Sequence, residues 1–177
     1  MNLEGQGIKV EYKTHFIVPE NNINLRLSRL LVIINELSYT QRGKLVINID
    51  RLTLFDFLVR NPFILKNVLK AKGNTVLNLL NEEFGSIATM YPSKVSLFDT
   101  TTTKVLIKSL ISYNMLTVKQ YEGELFYTLS EKGKQFISEI ETNYVVRMKE
   151  LCKSMLVLRS VTTNDLRKII NPVIRGI

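Results

Sequence analysis

The chain is poor in the residues that hold metals and cofactors: 177 residues contain one cysteine and one histidine. Cys152 alone closes no internal disulfide, and with His15 it supplies too few soft donors for a zinc or iron–sulfur site. None of the eight glycines falls into either nucleotide-binding spacing, so no cofactor is expected and no nucleotide is hydrolysed by this chain alone. The longest purely aliphatic run, Leu30 to Ile34, is far short of the ~20 residues that cross a bilayer. MNLEGQGIKVEY has neither the basic nor the apolar region of a secretory signal. A cytoplasmic protein with no membrane partner is the expectation.

Catalytic groupings are equally scarce. A Ser-His or Cys-His nucleophile would have to recruit His15 from an N-terminal arm, or Cys152 from the apolar side of a helix. Asp50 and Asp56 lie six apart on one short helix and so face different ways, and Asp50 reads as a helix cap. The expectation is that the chain is not an enzyme.

What the chain does have is positive charge and helical periodicity. Its 24 Lys and Arg against 16 Asp and Glu give a net charge of +8, which favours anionic partners without naming one. The excess is spread over both halves, with no basic tail. The hydrophobic fraction of 45% suits one folded core.

Residues 1 to 23 read as an N-terminal arm. From Asn24, the spacing of Leu27, Leu30, Leu31, Ile34 and Leu37 predicts a core helix ending near Ser38. After the turn TQRG, LVINI (45–49) reads as a strand, and Asp50 as the cap of a helix beginning at Arg51. Pro62 ends that helix and opens a second, which stops at Gly73. The segment TVLNLLNEEF (75–84) is amphipathic, and residues 85–99 read mostly as loop. A helix capped within Thr100–Thr103 carries Leu106, Ile107, Leu110, Ile111 and Tyr113 towards one side.

Next come two short strands, 116–121 and 125–129, about a Glu-Gly turn, then a helix capped by Ser130. The predicted fold class is mainly α with a small β wing: an elaborated winged helix-turn-helix over residues 24–135. About 50 residues separate the first strand from the pre-wing helix, against the usual 2 to 6, so extra helices are inserted there.

The winged region is poorly equipped to read bases. The pre-wing helix exposes Thr101, Lys104, Lys108 and Ser112, with no Arg or Gln for base edges. The hairpin apex carries Glu122 and Glu124, which repel phosphates. Lys104, Lys108, Lys119, Lys132 and Lys134 remain as candidates for nonspecific phosphate contact, each also explicable as a solvated lysine.

Beyond the wing, residues 131–177 read as a long C-terminal helix, Glu131 to about Arg159 and ~43 Å long, followed by a short C-terminal docking segment: a helix, TNDLRKII, capped by Thr162 or Thr163 and ended by Pro172, then a small tail, VIRGI, able to dock elsewhere. Ile137, Ile140, Tyr144, Met148, Leu151, Met155 and Leu158 recur at intervals of three and four, nearly a heptad seam. Such a stripe either closes the chain's own core or meets a partner. The expectation carried forward is partner docking through Glu122 and Glu124 and through Tyr144, Met148, Leu151, Met155 and Leu158. On that expectation, Leu151→Glu or Met155→Glu disrupts partner capture and leaves the fold largely intact.

The run RLLVIINELSYTQRGKLVINIDRLTLFDFLVRNPFIL, residues 29–65, placed ahead of a winged hairpin, resembles the middle component of bacterial ABC three-component systems, which include Lamassu-type antiphage defence. The resemblance covers residues 27 to about 135. It implies a noncatalytic winged-helix adaptor that accompanies a large SMC-like ATPase and an effector, commonly a nuclease. It transfers no individual binding residue. The rival reading is a small dimeric winged-helix transcription regulator in which the long helix self-associates and Lys104 and Lys108 approach DNA.

Overall fold

The computed structural model describes residues 19–73, 77–84 and 97–175. Most of the expected arm, with His15, and most of the expected 85–99 loop lie outside the described residues.

A 3-10 turn, Pro19–Asn21, leads into α1 (Ile23–Leu37), whose first amides are met by the Asn22 side chain. The apolar spacing of α1 is dense enough to bury most of the helix, from Leu27 through Leu37. α2 (Ile49–Arg60) and α3 (Pro62–Ala71) follow as expected about Pro62, and Gly73 closes α3 at φ 76°. A four-residue helix, α4 (Asn81–Phe84), precedes α5 (Thr100–Ser112), which is capped by the Asp99 carboxylate accepting from the Thr102 amide.

β1 (Leu116–Tyr121) and β2 (Glu124–Leu129) form a two-stranded antiparallel sheet with Leu116 opposite Leu129 and Tyr121 opposite Glu124. Glu122 and Gly123 both have positive φ, 49° and 81°, the type I′ pattern that matches the twist of a two-residue hairpin. Ser130 caps α6 (Glu131–Glu139), its hydroxyl accepting from the Gly133 amide. α7 (Asn143–Ser154), a 3-10 helix (Met155–Leu158) and α8 (Thr163–Arg175) complete the chain. Among the described residues the result is mainly helical with one small hairpin. Among the described residues, no helix is long and apolar enough to cross a membrane.

The long C-terminal helix is not formed. Ile140 is extended at ψ 117°, and the Thr142 hydroxyl accepts from the Val145 amide, starting a new helix. Thr-Asn at 142–143 compete for backbone groups, which favours a cap over a continued helix. The break lets α7 turn back along α1. Consequently Leu151, Met155 and Leu158 are 0% exposed and Tyr144 and Met148 are half-buried against the same core. The stripe closes the chain's own interior, and its three most deeply placed residues offer no surface to a partner.

Four smaller expectations also change. Leu45 makes a single bridge with Tyr39 and the Ile47 carbonyl accepts from the Tyr127 amide at 2.8 Å, so 45–47 runs beside β2 without a ladder. The strand is cut short because Asn48, not Asp50, caps α2, its Oδ1 accepting from the Arg51 amide. Within the described part of 75–84, residues 77–84, the helix is confined to α4, with residues 77–80 irregular and the Glu83 carboxylate accepting from the Leu80 amide. α8 continues through Pro172, carrying Leu166, Ile170 and Ile174 at a four-residue repeat into the core beside α3. That buried stripe outweighs the one helical hydrogen bond that proline removes.

Candidate functional site

A cleft of about 900 Å³ opens where β2, the 40–48 turn, the start of α2 and the 155–163 segment converge. Alternation along the hairpin sends Lys119, Tyr121, Glu124 and Phe126 to one face and Val118, Gln120, Leu125 and Tyr127 to the other. The first face looks to the cleft, which Glu124 and Phe126 line.

Glu124 is consequently not a free apical charge. Its Oε2 accepts from Asn48 Nδ2 at 2.9 Å, while the same Asn48 side chain caps α2. One amide thus clamps the hairpin to the helix start. Glu122, at the turn itself, is exposed and is the carboxylate the apex presents.

The floor of the cleft is set by Arg51. Its guanidinium donates to the carbonyls of Leu158, Arg159 and Val161, closing the C-terminal end of the 3-10 helix, and lies 5.3 Å from the centre of the Phe55 ring. Burial lowers the pKa of this guanidinium, and no carboxylate forms an ion pair with it among the described residues. Arg159 likewise spends its donors on the carbonyls of Leu156 and Tyr39. Arg42 and Lys44 sit on the rim, exposed and without ion pairs among the described residues.

The lysines singled out for phosphate contact divide into two groups. Lys119 donates to the Tyr39 hydroxyl at 2.9 Å, Lys132 to the Tyr113 carbonyl at 3.0 Å, and Lys134 pairs with Glu131 at 2.7 Å. Lys119 and Lys132 fasten the hairpin and the start of α6 to their neighbours, while the Lys134–Glu131 pair lies within α6. Lys104 and Lys108 project from α5 into solvent with no such partner among the described residues.

Tyr144, expected on a docking seam, instead accepts from Arg29 Nη1 at 3.3 Å within a polar network that also holds Glu20 and Asp56. Burial raises the Tyr144 pKa against the opposing pull of Arg29. Arg147 makes a two-pronged contact with Glu83 at 2.9 and 2.6 Å, fixing α4 to α7. Cys152 is buried, and burial pushes its thiol pKa well up.

Apart from Glu124, the residues of the cleft were missed in the sequence. Arg51 looked like an ordinary charged position at a helix start, and only the return of the chain at 155–163 turns it inward. The run MLVL was a signal of sorts: a 3-10 helix repeats every ~3.0 residues, so it cannot bury four consecutive apolar side chains. Met155 and Leu158 are buried, while Leu156 and Val157 are 37% and 45% exposed beside the cleft.

The described residues thus form a small, mainly helical body with a clamped hairpin beside a basic, partly apolar cleft. Residues 37–168, well over half of the chain, match the family model for ABC-three component (ABC-3C) system Middle Component 4, and the chain belongs to that family. No curated protein and no solved structure matches it.

Proposed function

We propose that the chain is a noncatalytic adaptor, built on an elaborated winged-helix plan, that bridges an SMC-like ATPase and an effector, commonly a nuclease, in a cytoplasmic Lamassu-type antiphage complex. Membership of a middle-component family supports protein partners in a multi-subunit system and is the observation that carries the adaptor reading. The winged plan is supported by α5 leading directly into the hairpin and by the Ile47–Tyr127 bond that lays 45–47 beside β2. The ATPase would supply nucleotide hydrolysis and most DNA contact, and the effector cleavage.

The exposed lysines of α5 favour a second reading, a dimeric winged-helix transcription regulator. Co-expression with the other two components, followed by size-exclusion chromatography with light scattering, separates the two. The adaptor co-elutes with them at fixed stoichiometry and is not a dimer by itself. A stable homodimer that protects a defined DNA site and ignores the other components overturns the proposal.

A further inference from the structure

The cleft between the hairpin and the 155–163 segment is unbalanced in charge. Among the described residues four cationic side chains line it, Arg42, Lys44, Arg51 and Arg159, against one carboxylate, Glu124, which is already engaged by Asn48. Arg51, through its two terminal nitrogens, and Arg159 donate to main-chain carbonyls, and neither forms an ion pair among the described residues, which leaves their positive charge uncompensated there. Like charges gathered in a partly desolvated cleft repel one another, and a visiting carboxylate relieves that repulsion.

The same cleft carries apolar surface that the fold leaves uncovered. The pitch of the 3-10 helix forces Leu156 and Val157 outward while Met155 and Leu158 fill the core, and half-buried Phe126 stands on the opposite wall. A phosphate backbone would answer the cations and leave Leu156 and Val157 without contacts. A peptide segment with apolar side chains flanked by carboxylates answers both, and about 900 Å³ accepts a few side chains of such a segment.

We propose that this cleft is the docking site for an acidic, apolar-bearing segment of another component of the same three-component system, with Arg42 and Lys44 gripping its carboxylates and Leu156, Val157 and Phe126 its apolar side chains. The site deepens the adaptor reading and rests on it.

The test uses the full chain co-expressed with the other two components, with the photo-crosslinking residue p-benzoylphenylalanine in place of Val157, or in place of Val118 on the hairpin's other face as a reference. Mass spectrometry maps the linked peptide. The expected result is a cross-link from position 157 to a segment rich in Asp or Glu beside apolar residues. In parallel, Arg42→Glu with Lys44→Glu lowers affinity for the partner at least tenfold and leaves the melting temperature of the isolated chain unchanged. If the complex assembles but position 157 links to nothing or to a basic segment, and the double variant binds normally, the cleft proposal fails while the adaptor reading stands. Cross-linking of position 157 to DNA, with DNA affinity lost in the double variant, makes the cleft a nucleic-acid site and overturns the proposal. If no complex forms with either component, both readings fall together.

Discussion

Arg29 Nε donates to Asp56 Oδ1 across 2.6 Å between α1 and α2, with the two residues only 2% and 7% exposed. Burial alone disfavours the Arg29 charge, and the combined attraction of Asp56, Tyr144 and Glu20 outweighs it, holding the guanidinium pKa above its ordinary value. Arg60 adds a contact to the other Asp56 oxygen at 3.1 Å. Removing one member of such a pair strands the other in a poorly solvated place. Asp56→Ala is therefore expected to lose about 3 kcal/mol of stability, read as a lower urea midpoint at unchanged slope. A loss below about 0.5 kcal/mol would show that Glu20 compensates Arg29 unaided.

Charge placed on the former seam now has a different expected effect. Leu151 is 0% exposed at the contact of α7 with α1, so Leu151→Glu should cost about 4 kcal/mol or more. Val157→Glu, on the exposed side of the neighbouring 3-10 helix, should shift stability by less than about 1 kcal/mol. Thermal melts of the two isolated variants make the comparison. A Leu151→Glu chain that melts like the parent would return the seam to the surface.

The contrast shows what local patterning can and cannot carry. The spacing of Leu27 to Leu37, the proline at 62, and Ser130 before an amphipathic helix are local signals, and α1, α3 and α6 form where they point. The Ile137 to Leu158 stripe was also correctly apolar. Its helix was not continuous, because the cap at Thr142 is worth about 1 kcal/mol locally and permits burial against α1 that no window of sequence reveals. The cleft was illegible for the same reason: Asn48, Arg51, Glu124 and Val157 meet only after the chain returns. Of the candidate site residues, Lys104 and Lys108 kept their expected exposure, since one face of a helix is local information.

Gly133 is held close to the end of α5. A Cβ there would collide with the Met115 carbonyl oxygen, which already accepts from the Ser130 amide at 3.0 Å, and would press on Leu129. Main chain cannot yield as a flexible side chain does, so Gly133→Ala should destabilise by about 1 to 3 kcal/mol despite alanine's better helix propensity. Chemical denaturation decides it, and a stabilised variant would mean that the hairpin and α6 are not fixed to one another.

Cys152 supplies a pH dependence. Its thiol pKa is raised by burial in the folded chain, while the unfolded thiol ionises near ~8.5. The folded form therefore retains its proton where the unfolded form releases it. The stability from this group is whole below the unfolded pKa and is lost as pH rises above it, by up to about 1.4 kcal/mol per pH unit. Between pH ~8.5 and ~9.5, Cys152→Ala should flatten the decline seen in the parent, and iodoacetamide should label the parent only after denaturant is added. Rapid labelling of the native chain would contradict the burial.

Lys104 and Lys108 give the DNA question a numerical form. They are one helical turn apart on the exposed side of α5, which also presents Val105, while Leu106, Ile107 and Leu110 hold the helix in the core. Reversing both charges should leave the fold intact, because neither lysine has a partner among the described residues to lose. If both touch phosphate in the assembled complex, Lys104→Glu with Lys108→Glu reduces the slope of log affinity against log salt by about 2, since each contact releases close to one counterion. A fluorescence-anisotropy titration of duplex DNA with the complex, repeated at several salt concentrations, measures that slope. Unchanged affinity and slope would assign both lysines to solvent and leave DNA contact to the other components.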